Sequence, residues 1–364
     1  VRITLILDDE QATPPSLPGT EARVDVLRVA DAVQAALAAA GHEVTVRAVG
    51  ADLTGAVAAV QGDAPDVVFN LCESLAGDAR GEAVVAGLLE QLGLAVTGSP
   101  ALALSLALHK DMAKALLRGS GVPTPEWCVL YPGDRVAGAH PGEAPAGAPA
   151  FPVIVKPARE DGSIGISFGS VAAGEEQLRQ AVHRVWRMGQ PALVERFVDG
   201  RELCVSFLGN APRTVLPLRE ISFGPSFAGR PRIVSYLAKW DPSTPEFHDT
   251  SSGSCDLPAD VAARAVACAQ RAFEALGCRD YGRVDLRLDA EGTPHVIDIN
   301  PNCDLHPEAG SARAAGAAGI GYGALIARLL ENALERAPGS TPHRAPARRG
   351  AGSGAPPDRE LHGR

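Results

Sequence analysis

Tyr281-Gly282-Arg283-Val284-Asp285-Leu286-Arg287-Leu288 and Pro294-His295-Val296-Ile297-Asp298-Ile299-Asn300 flank the turn-forming Asp289-Ala290-Glu291-Gly292-Thr293. Two alternating runs around a Gly-containing turn predict a β-hairpin. Side chains alternate between the faces of a strand, so Val284, Leu286 and Leu288 share one side and Arg283 and Asp285 the other. In the second run Ile297 and Ile299 are expected inward, with Asp298 and Asn300 on the polar side. A four-residue loop, Ala290–Thr293, would set Asp285 opposite Asp298 and Arg283 opposite Asn300. Facing carboxylates repel unless a cation lies between them. Two readings fit. One is a hard divalent cation on an Asp, Asp, Asn oxygen set, of the kind a nucleotide polyphosphate carries. The other is a solvated acidic face on which Arg283 neutralises one aspartate.

Upstream, Phe151–Lys156 is an apolar run ending on a lysine, followed by Arg159-Glu160-Asp161-Gly162-Ser163-Ile164-Gly165. Glycines allow close backbone approach and Ser163 adds a hydroxyl, so this segment either cradles phosphates beneath Lys156 or is an ordinary hairpin turn. Lys110 falls in a helix expected over 101–118. Lys239 sits between large apolar residues in 222–254, a long segment of little periodicity that reads as a lid or as disordered, so the lysine either closes over a γ-phosphate or is an exposed charge between packing anchors. Gly-x-x-x-x-Gly-Lys-Ser/Thr is absent, which argues against a P-loop.

The opening third alternates strand and helix signals: Val1–Leu7, Glu21–Ala40, Val44–Val49, Val67–Leu71 and Gly81–Leu92. That rhythm predicts a small parallel sheet with helices on its faces, without the Gly-x-Gly-x-x-Gly of a dinucleotide site. Strands are expected at Phe151–Lys156, Ile164–Val171, Ala192–Val198 and Leu203–Leu208. Helices are expected over 174–188, 258–276 and 322–335. The Gly/Pro-rich 132–150 reads as an exposed loop and 338–364 as a disordered tail.

The chain has 364 residues, 46% of them hydrophobic, and a formal net charge of −9. That supports two or three domains, and the acidic balance without a basic block argues against nucleic acid as a partner. No apolar run approaches the roughly 18 residues of a membrane span, and no secretory signal is visible. Seven cysteines without CxxC spacing suit reduced thiols and a cytoplasmic setting.

Taken in order, several segments resemble the ATP-grasp ligases related to D-alanine–D-alanine ligase. They are Gly87-Leu88-Leu89-Glu90, Val96-Thr97-Gly98-Ser99, His109-Lys110, Gly121-Val122-Pro123, Val153–Pro157, Leu193–Val198 and Arg201-Glu202-Leu203. Ala238-Lys239, Leu276-Gly277-Cys278, Gly282–Asp285 and Ile297–Asn300 complete the set. The resemblance implies an α/β (α+β) ATP-grasp fold with an N-terminal Rossmann-like domain over 1–100. The ATP-grasp subdomains would cover 101–192 and 193–337.

It further implies ATP and magnesium, two ions with manganese as a substitute. Lys110, Lys156 and Ser163 would meet the phosphates. Glu195, Arg196 and Val198 would form the adenine linker, Glu202 would hold the ribose, and Lys239 the γ-phosphate. Asp285, Asp298 and Asn300 would bind metal, and Arg283 would steady a tetrahedral intermediate. The implied reaction is amide formation between small-molecule carboxylate and amine substrates through an acyl phosphate, in a homodimer.

The chain departs from that pattern on the substrate side. Leu7-Asp8-Asp9-Glu10-Gln11 replaces a Gly-rich motif, and Asn70-Leu71-Cys72-Glu73-Ser74 a histidine–glycine segment. Gly162 and Trp240 replace a serine and a tyrosine, and Pro301-Asn302-Cys303-Asp304 replaces Thr-Ser-Pro-Gly. Different substrates are therefore expected. Two other classes compete: a serine hydrolase using Ser167 in Gly165-Ile166-Ser167-Phe168-Gly169, and a non-catalytic ATP-binding module. Gly319–Gly323 carries a similar glycine spacing, but no strand precedes it.

Overall fold

The computed structural model describes residues 1–9, 20–136 and 147–337. The 338–364 tail, most of the 132–150 stretch and Glu10-Gln11 lie outside them. In chain order the elements begin with β1 (Arg2–Asp8), α1 (Thr20–Ala39), β2 (Glu43–Val49), α2 (Leu53–Asp63), β3 (Val67–Asn70) and α3 (Gly81–Gln91). Next come α4 (Ala101–Leu108), α5 (Lys110–Gly119), β4 (Trp127–Leu130), β5 (Val153–Pro157), β6 (Val171–Ala172), α6 (Glu175–Arg187) and β7 (Ala192–Arg196). Then follow β8 (Glu202–Leu208), β9 (Thr214–Val215), β10 (Arg219–Phe223), α7 (Tyr236–Trp240), α8 (Pro245–His248) and β11 (Thr250–Ser254). The chain continues through α9 (Ala259–Ala275), β12 (Tyr281–Leu288), β13 (Pro294–Asn300), α10 (Gly310–Ala317) and α11 (Tyr322–Glu335).

Three sheets result. The first is parallel, in the order β2-β1-β3. Its central strand is buried on both faces, as expected when helices cover each side. Ile3, Leu5 and Leu7 pack with α1 and α11, while Ile6 and Val68 pack with residues of α2 and α3. The second sheet is antiparallel, β4-β7-β5-β6, with α6 against it. The third runs β11-β10-β8-β12-β13, with β9 beside β8, and is covered by α9, α4 and α5. Helices α4 and α5 thus share a core with the third sheet rather than the second, while α11 packs on the first and α10 lies against α11 and β8. Strand β7 extends the second sheet to Arg196.

Several expectations change. Residues 101–118 are two helices, broken at His109 (φ −83°, ψ 82°). The 164–171 segment is mostly turn, with a single 3-10 turn at Phe168–Ser170. Residues 222–254 contain α7, α8 and a hairpin in which β10 pairs with β11. Elements α2, β4 and α10 escaped the sequence reading, because short Ala/Gly-rich or four-residue segments carry little periodicity.

The β12–β13 hairpin has the predicted pairing where it matters: Arg283↔Asn300 and Asp285↔Asp298. The turn, however, is the five residues Asp289–Thr293, and a bulge between Asp285 and Leu286 restores the register. The extra residue leaves Val296 and Ile299 buried and turns Ile297 into the cleft wall, not inward as alternation predicted.

Gly282 lies where β12 crosses α9. A Cβ there would stand 2.6 Å from Phe273 and 2.8 Å from the Asn300 carbonyl. Gly282→Ala is expected to cost about 1–3 kcal/mol, as overpacking does in a filled core. Urea unfolding measures it, and an unchanged midpoint would contradict the packing described.

Candidate active site

The principal cleft lies between the second and third sheets. Its apolar walls include Ile154, Phe197, Val198, Ile221, Ile233 and Ile297. Lys110, Lys156, Lys239, Arg283, Asp285, Asp298 and Asn300 line the same cleft, as do Ser163, Glu195, Arg196 and Glu202. The structure therefore brings together every predicted site residue, although several are engaged differently from expectation.

The break at His109 makes Lys110 the first residue of α5, where its N–H donates to the Ala158 carbonyl at 3.1 Å. Its ammonium donates to Asp298 at 2.8 Å. Burial alone would depress the Lys110 pKa, but Asp298 outweighs it and the value lies above the ordinary one. Burial likewise opposes ionisation of Asp298, yet Lys110 holds its pKa below the usual carboxylate value. Arg283 grips Asp285 through two bonds, Nε at 2.7 Å and Nη2 at 2.9 Å. Each of the facing acids thus has its own cation, and Arg283 neutralises one of them as the second reading of the hairpin supposed. The two acids and Asn300 still share one face of the hairpin.

Glu195 is buried in β7, ion-paired with Lys114 and, at 2.6 Å, with Lys156. Its side chain is committed to these two lysines. Burial raises its pKa, the two lysines lower it more, and it ends below the carboxylate norm. Lys114, pressed by burial and by Lys156, ends below the lysine norm despite Glu195. Glu202 takes two bonds from Arg287, at 3.1 and 2.6 Å. Arg287 also donates to the Val198 carbonyl at 2.9 Å and to the Arg232 carbonyl, and lies 5.2 Å from the Phe197 ring centroid. It ties the linker to the 222–254 segment.

That segment sits closed on the turn after β5. Trp240 Nε1 donates to the Gly162 carbonyl at 2.7 Å, and Tyr236 N–H to Ile166 at 3.0 Å. Ser163, in the left-handed region (φ 62°), donates its hydroxyl to the Val234 carbonyl at 2.9 Å. Lys239 rests 4.7 Å from the Trp240 ring centroid. Asp161 lies among Lys110, Lys239 and Asp298, its pKa raised by burial in spite of the lysines.

Ser167 caps the Phe168–Ser170 turn, and no strand–turn–helix elbow surrounds it. Lys114, Arg287 and Asp161 escaped the sequence reading. The first two carried signals: Lys114 follows Lys110 by one helical turn, and Arg287 shares a strand face with Arg283 and Asp285. All seven cysteines are free, and no described helix is long and apolar enough to cross a membrane.

Comparison with known proteins agrees with this geometry. The "D-ala D-ala ligase C-terminus" family matches residues 116–331. An uncharacterised protein of Sinorhizobium fredii, y4sG, is 36% identical over 85% of this chain and 88% of its own. A D-alanine–D-alanine ligase of Synechococcus sp. JA-3-3Ab is 34% identical over 72% of this chain and 76% of its own. The D-alanine–D-alanine ligase of Bacillus anthracis superposes with a TM-score of 0.72 at 21% identity, covering 92% of this chain and 98% of that one. Fold and cleft define an ATP-grasp carbon–nitrogen ligase, which uses ATP to join a carboxylate to an amine. The chain belongs to the D-alanine–D-alanine ligase family.

Replacing Lys114 by Met removes one of the two counter-charges of Glu195, with an expected stability loss of about 1–3 kcal/mol at pH 7. A carboxylate with a depressed folded pKa contributes stability above its unfolded pKa and loses it as pH falls through the folded value. The difference between wild type and Lys114→Met should therefore narrow below about pH 4.5. Urea titrations from pH 3 to 7 check it, and a difference independent of pH would contradict the pairing.

Proposed function

We propose that the cleft transfers the γ-phosphoryl group of ATP to one substrate's carboxylate and then admits an amine to the acyl phosphate. In the first step a carboxylate oxygen bonds to the γ-phosphorus, the bond to the bridging oxygen breaks, and ADP leaves. In the second the amine nitrogen attacks the acyl carbon, inorganic phosphate departs, and the nitrogen loses a proton. The observation that carries this reading is the convergence of four cations from separate elements, Lys110, Lys156, Lys239 and Arg283, on one cleft with Asp285, Asp298 and Asn300.

Roles follow from position. Lys156 and Lys110 hold the polyphosphate, and Lys239 reaches it from the lid. The apolar wall of Ile154, Phe197, Val198 and Ile297 suits a base, and Glu202 remains beside it for a ribose. Glu195 positions Lys156, while Arg196 stands at the exposed rim and Ser163 holds the lid. Arg283 stabilises the oxyanion of the tetrahedral intermediate.

Asp285, Asp298 and Asn300 offer hard oxygen donors on one face, a set that fits magnesium or manganese. Those ions would supply neutralisation of polyphosphate charge, for which Arg283 and Lys110 must release part of their hold on the carboxylates. A closed lid, latched by Trp240 on Gly162, excludes the water that would hydrolyse the acyl phosphate. The three sheets support three working units, and free thiols support a cytoplasmic setting. A second reading, D-alanine as both substrates, rests on what the named relatives act on.

Release of ADP with pairs of D- and L-amino acids tests the proposal. Turnover should require both a carboxylate and an amine, and Arg283→Met should lower kcat by about 10²–10³. ADP release indifferent to added amino acids, or an Arg283→Met enzyme of undiminished kcat, would sink it. Efficient turnover on D-alanine alone would favour the second reading.

A further inference from the structure

Five carboxylates that the phosphate chemistry leaves unused gather where the first sheet meets this cleft. Asp8 ends β1, Glu73 follows β3, and Glu82 opens α3. Asp161 comes from the turn after β5 and Asp304 from the loop after β13. Glu82 and Asp161 line one cavity together with Lys110, Asn300 and Asn302, so the group is continuous with the hairpin face.

The hydrogen-bond donors that fix these acids are neutral. Ser74 donates its hydroxyl to Asp8 Oδ2 at 2.7 Å. Asn302 donates to Glu82 at 2.9 Å and to the Cys72 carbonyl at 3.1 Å, and is itself held by the Tyr281 hydroxyl at 2.6 Å. Among the described residues none of the five makes an ion pair with lysine or arginine. Asp8 is 7% exposed, and its other oxygen, Oδ1, is buried without a hydrogen-bond partner.

Carboxylates withdrawn from water and left facing one another resist ionisation. Burial pushes Asp8 up to about 6. Burial, then Asp161, Asp304, Asp8 and Glu82, push Glu73 well above the ordinary value, and burial and Asp161 do the same to Glu82. A compact metal ion is a poor occupant, because among the described residues no three such side chains are grouped to hold one. Dispersed acids instead suit a longer cation with separated charges.

We propose that this basin binds the ammonium groups of a dicationic substrate, of the basic diamino acid class. One ammonium would face Asp8 and Glu73, the other Glu82 and Asp161, with the reacting group toward Asn300 and Arg283. The proposal deepens the ligase reading and rests on it for the direction in which the substrate lies.

Ornithine against norvaline, and lysine against norleucine, each in D and L forms, isolate the second ammonium at constant chain length. Calorimetry with the full chain, magnesium and ADP should give at least about tenfold tighter binding of the dibasic member of a pair. ADP release with ATP should follow the same order. Glu73→Gln and, separately, Glu82→Gln should each shrink the preference several-fold while leaving the Kd for ATP unchanged. Equal binding of isosteric pairs, or a preference that survives both substitutions, overturns the basin. Dibasic binding without ADP release would retain the basin and overturn the ligase reading. Turnover on neutral amino acids with no preference would do the reverse.

Discussion

Asp285 and Asp298 stand opposite each other on paired strands, and the cleft is organised around the cost of that arrangement. Like charges at such a position destabilise a ladder unless cations accompany them. The chain supplies one cation from the same strand, Arg283, and one from a distant helix, Lys110. The second is the more consequential. To reach Asp298 the helix that follows α4 must restart at Lys110, and the break at His109 allows it. An uninterrupted helix over 101–118 would continue the α4 axis past that point.

The same economy recurs at Glu195. A single buried carboxylate holds two lysines, one on β5 and one on α5, and so ties the second sheet to a helix packed on the third. Buried ion pairs contribute little net stability, but removing one partner is costly, so such a pair fixes geometry more than it adds free energy. Lys156 is thereby presented to the cleft from a rigid strand. Lys239 is the opposite case, carried on a five-residue helix within the latched segment and resting against Trp240. Cations fixed on sheet and helix on one side, with one carried by the latched segment on the other, suit a site that encloses a nucleotide.

The polar face of the hairpin was legible in the sequence because its information is local. Alternation in 281–288 and 294–300 places Arg283, Asp285, Asp298 and Asn300 on one face without knowledge of the rest of the chain. Even there, strict alternation failed at Ile297, since a bulge cannot be read from a pattern of period two. The roles of Glu195 and Glu202 were less legible. Their partners, Lys114 and Arg287, are 81 and 85 residues away, and only tertiary contact reveals that each side chain is already committed. Residues 222–254 showed little periodicity because Gly, Ser and Pro mask the pairing of β10 with β11.

The acidic basin was legible only as a set of departures from the family pattern, and the reason is physical. Asp8, Glu73, Glu82, Asp161 and Asp304 come from five separate segments, each unremarkable as a solvated acid. Folding assembles them by closing β1 on β3 and by threading Asn302 between Cys72 and Glu82. A buried acid retained without a counter-charge costs stability, and a fold carries that cost most readily where a ligand removes it. Loops at the carboxyl ends of parallel strands are where open α/β sheets receive ligands, and Asp8 and Glu73 occupy that edge. In the proposed reaction phosphoryl transfer constrains the hairpin and the lysines, whereas the choice of substrate constrains only this basin. One half of the cleft can therefore follow the family while the other departs from it.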